Sequence, residues 1–482
     1  MKRRVSPWPA LGALCLGFFM ILLDTTIVSI AIPAMVRGLG TDLNSVVWVL
    51  SVYLLTYAVP MLFTSRLGDR YGPKRVFVAG LVVFTLASLW CGLSGTAEML
   101  IAARAVQGIG AALMTPQTLA FITHLFPPAK RGPAMGLWGG VAGLATITGP
   151  LLGGVLVDHL GWEWIFFVNV PIGVIALALT LVLVPDWQPR RSHSFDIPGI
   201  LLSGAGLFCV VFGIQNGQHY AWGRVWGPVT IPEIIGAGVL LLVAFVLWQR
   251  FNRHEPLLPL RIFKRRTFSA GTVTAATVGF AMTGMFLPLV VYVQEALDLT
   301  PTEAGVLTAP MSLLAGITAP FAGRLSDRLD SRYLVMFGLF ALAAGLGIIA
   351  LQARPDSSPW SFVPALLVCG LGIGFTFSPM SNATMGAIEP ALTGAGSGIF
   401  NTSRQVGGVL GSAATGVLLQ ARISASVTDP GNAEAAREGL THAARQTMLL
   451  PVIVLLTGVV TASAMRTRRP APAVPSPSSP GA

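Results

Sequence analysis

The sequence predicts an all-α polytopic membrane protein of fourteen transmembrane helices, built as two six-helix halves with two extra central helices. Three observations carry this expectation. Of 482 residues, 53% are hydrophobic and only 11% charged, with a mean hydropathy of +0.72, far from the composition of a soluble globular chain. Apolar runs of about 20 residues, the length that crosses a hydrocarbon core, recur along the whole chain. Finally, a charged knot at 65–75 has the kernel Arg66-Leu67-Gly68-Asp69-Arg70, and this returns as Arg324-Leu325-Ser326-Asp327-Arg328. Each copy lies between two apolar runs, which points to internal duplication.

The fourteen runs fall at 10–35, 46–64, 76–95, 98–122, 134–157, 164–184, 197–216, 231–249, 269–294, 303–323, 333–352, 360–381, 395–419 and 446–465. The first follows Met1-Lys2-Arg3-Arg4, the charged start of a secretory signal. No small-residue cleavage site follows and Asp24 interrupts the run, so it reads as a retained membrane helix. With the N-terminus in the cytoplasm, 23 of the 31 Lys and Arg fall in cytoplasmic segments and six outside, while Arg104 and Arg404 lie within spans. Losing one span would invert every later segment, so this bias supports an even number of spans and two cytoplasmic termini. It also accounts for the net charge of +11 without nucleic acid as a partner. The longest outer loop is expected at about 420–445, and the Pro-, Ala- and Ser-rich tail, 466–482, is expected to be disordered.

A second repeat sharpens the duplication. Gly108 and Gly110 followed by Thr115-Pro116 in span 4 are echoed by Gly372 and Gly374 followed by Ser378-Pro379 in span 12. Glycine pairs open spans 5 and 13 in the same way, Gly132 with Gly136 and Gly394 with Gly398. Spans 2, 4 and 5 thus pair with 10, 12 and 13, which leaves spans 7 and 8 as an insertion. The expected division is a cytoplasmic N-terminus 1–9, a first half 10–184, an insertion 185–268 with a basic cytoplasmic loop, a second half 269–465, and the tail 466–482.

Asp24 is the one carboxylate expected deep in the membrane, where a charge costs several kcal/mol unless protonated, paired or wet; such residues commonly mark proton or substrate routes. Arg104 and, one helical turn on, Gln107 lie in span 4. Span 13 adds Asn401, Arg404 and Gln405. The four cysteines, Cys15, Cys91, Cys209 and Cys369, are dispersed in apolar runs and read as packing residues. No P-loop, H-E-x-x-H or G-x-S-x-G occurs and the six His are scattered, so neither an enzyme nor a metal or other cofactor is expected.

Four segments carry a resemblance to the major facilitator superfamily, specifically its fourteen-helix drug:proton antiporter-2 branch of multidrug and antibiotic exporters. The knot at 65–75 resembles that family's G-x-L-x-D-R-x-G-R-K pattern, with Ser65 in place of the first Gly and Pro73 in place of a basic residue. Leu23-Asp24-Thr25-Thr26 is similar to its helix 1 signature, and Arg104-Ala-Val-Gln107-Gly108 to its R-x-x-Q-G segment. Gly149-Pro150-Leu151-Leu152-Gly153-Gly154 looks like its antiporter motif. The resemblance implies a monomeric, proton-coupled exporter of lipophilic small molecules in the bacterial cell membrane, working by alternating access. Asp24 and Arg104 would couple protons, and Gln107, Asn401, Arg404 and Gln405 would line a polar cavity. Asp69, Arg70, Gly72, Lys74, Arg75, Asp327 and Arg328 would form a cytoplasmic gate, and Gly149, Pro150, Gly153 and Gly154 a flexible, leak-tight contact. A facilitator or importer of a small metabolite and a membrane sensor are the competing expectations.

Overall fold

A computed structural model of the chain describes residues 7–186, 196–252, 257–326, 328–389, 392–426 and 432–465. The basic residues at 2–4, 190, 191, 253, 466, 468 and 469, Asp327 and the tail lie outside the described residues.

Helix dominates because backbone polar groups in hydrocarbon must be satisfied within their own segment. Chain order runs α1 (Pro7–Ile30), α2 (Ile32–Leu39), α3 (Leu43–Ala58), α4 (Met61–Tyr71), α5 (Pro73–Gly92), α6 (Ala97–Leu125), α7 (Pro128–Leu160), α8 (Trp164–Phe167), α9 (Asn169–Leu183), α10 (Ile197–Asn216), a short hairpin of β1 (Arg224–Trp226) and β2 (Val229–Thr230), and α11 (Ile231–Phe251). Next come α12 (Arg266–Gly284), α13 (Phe286–Val291), α14 (Pro301–Ser326), α15 (Ser331–Gln352), α16 (Val363–Gly386), α17 (Thr393–Ser426) and α18 (Ala433–Ser463). Among the described residues thirteen helical segments are long and apolar enough to cross a membrane. The remaining expected span falls on α3, sixteen residues long, which continues into α4 after a break at Val59-Pro60. Pro60 cannot donate a backbone hydrogen bond, which accounts for the break.

Two helix sets share one wiring. In the first, α5 packs on α6, α3 on α6, α1 on α7, α5 on α9 and α1 on α9; in the second, α15 packs on α16, α14 on α16, α12 on α17, α15 on α18 and α12 on α18. The sets meet reciprocally, α7 against α14 and α17 against α3. Close crossings rely on glycine. A Cβ at Gly110 would strike the backbone of Phe84 and Gly80, and one at Gly372 the backbone of Leu342 and Gly338. Gly108 meets α3 at Tyr53 and Thr56, as Gly370 meets α14 at Met311. By contact, therefore, Gly110 corresponds to Gly372, while Gly374 also meets α14, at Ala315 and Thr318, as Gly108 meets α3. A glycine-rich helix offers several similar registers, and only the partner helix selects one.

The charged knot takes a helical course: α4 runs through Asp69 and Arg70 to Tyr71, and the joint is Gly72 alone, at φ +95°, a conformation that disfavours any side chain. Pro73 then opens α5 with φ already fixed for a helix. The expected outer loop at 420–445 is mostly helix, since α17 reaches Ser426 and α18 starts at Ala433. Asn432 caps α18 by accepting from the Glu434 and Ala435 amides at 3.1 and 3.3 Å, and the Ala-rich stretch that follows favours helix.

The insertion helices α10 and α11 pair with each other through Gly206 and Gly238, and α10 also lies on α3 and α17. Only Ile231, Gly238 and Gln249 of α11 are buried, so this helix is peripheral. Its far end is tied by Asp196. Burial pushes the Asp196 carboxyl up, but donation from Gln249 Nε2 at 2.6 Å, Trp248 Nε1 at 2.7 Å and the Gly199 amide at 3.0 Å outweighs this and holds it below the usual carboxylate range. A carboxylate of lowered pKa stabilises the fold above its unfolded value and loses that contribution as pH falls through the folded one. Asp196→Asn should therefore melt at a lower temperature than the wild type near neutral pH, with the gap closing on acidification. A gap that does not change with pH in fluorescence melting curves would remove the ionic part of this anchor.

Candidate functional site

Asp24 lies six residues before the end of α1, and Arg104 and Gln107 share one face of α6. All three side chains are fully buried, and the fold brings them together. Arg104 Nη1 donates to Asp24 Oδ2 at 2.5 Å and to Gln107 Oε1 at 2.6 Å, while its Nε reaches the Val49 carbonyl of α3 at 3.2 Å. Gln107 Nε2 donates to Asp24 Oδ1 at 2.9 Å and to Ser88 Oγ of α5 at 2.8 Å. Asn169 Nδ2, at the start of α9, is 3.3 Å from the same Asp24 oxygen. The guanidinium carbon lies 4.0 Å from the Tyr53 ring centroid, a cation–π contact. Arg104 Nη2 is buried without a hydrogen-bond acceptor.

This arrangement satisfies the carboxylate with three donors and leaves the cation one donor short. The chemistry follows from that imbalance. A proton on Asp24 would remove the Arg104 counter-charge and leave a desolvated guanidinium held only by carbonyls and the Tyr53 face. Removing one partner of a buried pair costs about 3–5 kcal/mol. Asn169, Ser88 and Tyr53 were not among the sequence-derived site residues. Their signal is weak, a polar atom in an otherwise apolar helix, and only the tertiary contact shows that all of them converge on one site.

The glycines of α7 lie directly beside Asp24. A Cβ on Gly149 would collide with Thr26, one on Gly153 with Ile27, and one on Gly154 with the backbone of Pro301 and Thr302 in α14; the Pro150 carbonyl packs on Gly305. The segment thus lays its backbone on Thr26 and Ile27 of α1 and on the backbone of α14 in the second helix set. Further contacts across the sets cluster at the same end of the bundle. Arg37 pairs with Glu295 at 2.6 Å, the Thr302 amide donates to Asp158 at 2.8 Å, and Gln294 donates to the Ile30 carbonyl at 3.0 Å. Nearer mid-helix, Ser51 and Ser412 hydroxyls are 3.1 Å apart.

At the opposite end, two ion pairs each join residues of a single set. Arg75 faces Asp186 at 3.7 Å, Lys74 donates to the Leu181 carbonyl at 2.8 Å, and Arg265 faces Glu389 at 3.7 Å. Lys74 and Arg75 therefore brace α5 to the end of α9. Asp69 is half-buried at the end of α4, Arg70 is exposed with its guanidinium 5.5 Å from the Tyr71 ring, and Arg328 is exposed beyond α14. In the second knot Asp330 caps α15 through the Arg332 amide at 3.0 Å.

Arg404, Asn401 and Gln405 lie together on α17, apart from the Asp24 cluster. Asn401 and Arg404 are half-buried and Gln405 is buried. Of the Met and aromatic residues that could line a cavity, Met20, Met114, Met285 and Met380 are core residues with at most 1% exposure, and Phe18 stacks on Trp138. Because the Gly154 contact is backbone to backbone, Gly154→Val should force α7 and α14 apart and lower the melting temperature by several degrees, whereas Val155→Ala at the adjoining exposed position should change little. Equal melting of the two variants would show that the α7–α14 contact can yield.

Comparison with known proteins agrees with this architecture. The sequence model of the Major Facilitator Superfamily matches residues 14–412. An uncharacterised MFS-type transporter of Mycobacterium tuberculosis is 46% identical, with 95% of this chain and 80% of the relative covered. The tetracenomycin C resistance and export protein of Streptomyces glaucescens is 37% identical over 87% of this chain and 77% of its own. The puromycin resistance protein of Streptomyces alboniger is 33% identical over 94% and 90%. The fold is also that of a crystal structure of a bacterial homologue of the human lysosomal transporter Spinster, at a TM-score of 0.67 and 17% identity, covering 96% of this chain and 98% of the other. With its apolar spans, paired helix sets and these relatives, the chain is a multi-pass protein of the bacterial cell membrane and belongs to the Major Facilitator Superfamily.

Proposed function

We propose that this protein is a proton-driven exporter of lipophilic or amphipathic small molecules, with fourteen spans, both termini cytoplasmic, and the half boundaries given by the sequence. The observation that carries the reading is the fully buried Asp24–Arg104 pair with Gln107 bridging both partners. In one state Asp24 is ionised and clamps α1 to α6; in the other it is protonated and releases them. Because Gly149 and Gly153 pack on Thr26 and Ile27 of α1, a shift of α1 passes directly to α7 and from there to α14 across the set boundary. Resistance and export names among the relatives support small-molecule efflux as the task driven by this switch.

The knots fit a gate at the cytoplasmic end. Gly72 sets the α4–α5 angle, and Lys74 and Arg75 fix α5 to α9, so that Asp69 and Arg70 present a rigid helix end to the other set. Three polar contacts across the sets cluster at the Arg37–Glu295 end, which supports closure on the outer side. Arg404, Asn401 and Gln405 supply polar groups toward the central site, while Gln107 acts within the Asp24 cluster.

Inside-out membrane vesicles with an imposed proton gradient test this. Asp24→Asn, which keeps the shape but removes the titrating group, should reduce gradient-driven uptake of a lipophilic dye by about tenfold or more while the protein remains in the membrane. Unchanged gradient-driven uptake would take Asp24 out of the coupling role. For the gate, Asp69→Asn should slow turnover while leaving dye binding to the purified protein within about twofold of wild type. A variant that folds normally but no longer binds dye would place Asp69 in the binding site instead.

A further inference from the structure

Arg404 has a setting unlike that of Arg104. It lies eleven residues into α17, about 16 Å from the helix start and within a segment apolar enough to cross a membrane. Its neighbours come from both helix sets. The guanidinium carbon is 5.9 Å from the Phe377 ring centroid of α16, and Tyr57 of α3 lies within its electrostatic reach. Tyr57 in turn is bonded to Thr115 of α6 at 2.9 Å. Asn401, one turn earlier on the same face, spends its amide on the Ser397 carbonyl of its own helix at 3.0 Å. Among the described residues no carboxylate and no carbonyl accepts from Arg404.

The distribution of acidic residues explains why. Asp24 is already taken by Arg104, Gln107 and Asn169. Every other acidic side chain among the described residues lies within two turns of a helix end or between helices. The mid-membrane charge is thus two arginines against one aspartate, an uncompensated positive charge. The backbone cannot withdraw to relieve it, because the Arg404 carbonyl packs directly on Gly279 of α12, where a Cβ would not fit. A half-buried guanidinium fixed at mid-depth beside an aromatic ring is built to be completed by an anion.

We propose that Arg404 is the substrate's anion-recognition residue, and that the transported class is an aromatic amphiphile bearing a carboxylate or an ionised phenol. The acidic group pairs with the guanidinium in the planar, two-pronged manner open to Arg and not to Lys, and the ring lies against Phe377. Hydrophobic cations are disfavoured, since among the described residues no free carboxylate awaits them at this depth. This inference rests on the exporter reading above and narrows its substrate.

Fluorescein and rhodamine 123 share a xanthene frame and carry opposite charge near neutral pH, so they isolate the charge preference. Binding of each to the purified full-length protein is measured by fluorescence polarisation, with monodispersity and melting temperature as folding checks. The wild type should bind fluorescein more tightly than rhodamine 123. Arg404→Gln should weaken fluorescein by about tenfold or more and leave rhodamine 123 unchanged or tighter. Arg404→Lys should fall between wild type and Arg404→Gln for fluorescein.

Wild-type protein that prefers rhodamine 123 or binds neither dye overturns the proposal, even if Arg404→Gln fails to fold. Equal weakening of both dyes, or of neither, in a folded Arg404→Gln overturns it too. Vesicle transport separates the two readings: proton-driven rhodamine 123 uptake with no fluorescein binding leaves the exporter standing and removes the anion site. Arg404-dependent fluorescein binding with no proton-driven transport of either dye does the reverse.

Discussion

A charged pair without water constrains this molecule more than any other contact. Asp24 and Arg104 are both fully buried, and a charge so enclosed is costly without its partner. Their surroundings follow from that need. Gln107 turns its amide nitrogen to the carboxylate and its oxygen to the guanidinium, Ser88 and Asn169 bring in α5 and α9, and Tyr53 offers its ring face. One ion pair therefore ties together α1, α3, α5, α6 and α9, most of the first helix set. A contact of this kind is a poor source of net stability but a strong source of specificity, because few other packings would satisfy it.

The glycines convert that local pair into a property of the whole bundle. At Gly149 and Gly153 α7 approaches α1 beside Asp24, and at Gly154 and Gly305 it meets α14 of the other set. With side chains absent on these faces, displacement of one helix is not absorbed by rotamer changes and is handed to the next. Gly279, Gly407 and Gly411 make an equally close seam between α12 and α17, where a Cβ would strike the backbone of the facing helix. This seam places Arg404 at the α12–α17 contact, its carbonyl against Gly279.

The two membrane arginines show how one residue type takes two roles by environment. Arg104 is enclosed and paired with a carboxylate of its own helix set. Arg404 faces the boundary between the sets and has no internal match among the described residues, so its state depends on what else is there. Family membership alone does not separate these roles; burial and partner geometry do.

Much of this was legible in the sequence. Apolar runs fix where helices lie because the bilayer requirement is local, acting on each segment in turn, and the expected spans and the thirteen long apolar segments coincide closely. The deep carboxylate, the two membrane arginines and the duplicated knot were likewise visible, since a charge stands out against an apolar background. Partners were not. Asn169 and Ser88 meet Asp24 and Gln107 only through the packing of α5 and α9 on α1 and α6, and Lys74 and Arg75 turn to α9, not to Asp69. The register of the glycine repeat, the helical course of the knot through Tyr71 and the lengthened α18 were also settled by contact. Sequence pattern reports how each segment meets its solvent; which segments meet each other depends on packing between residues far apart in the chain, and that information exists only in the folded bundle.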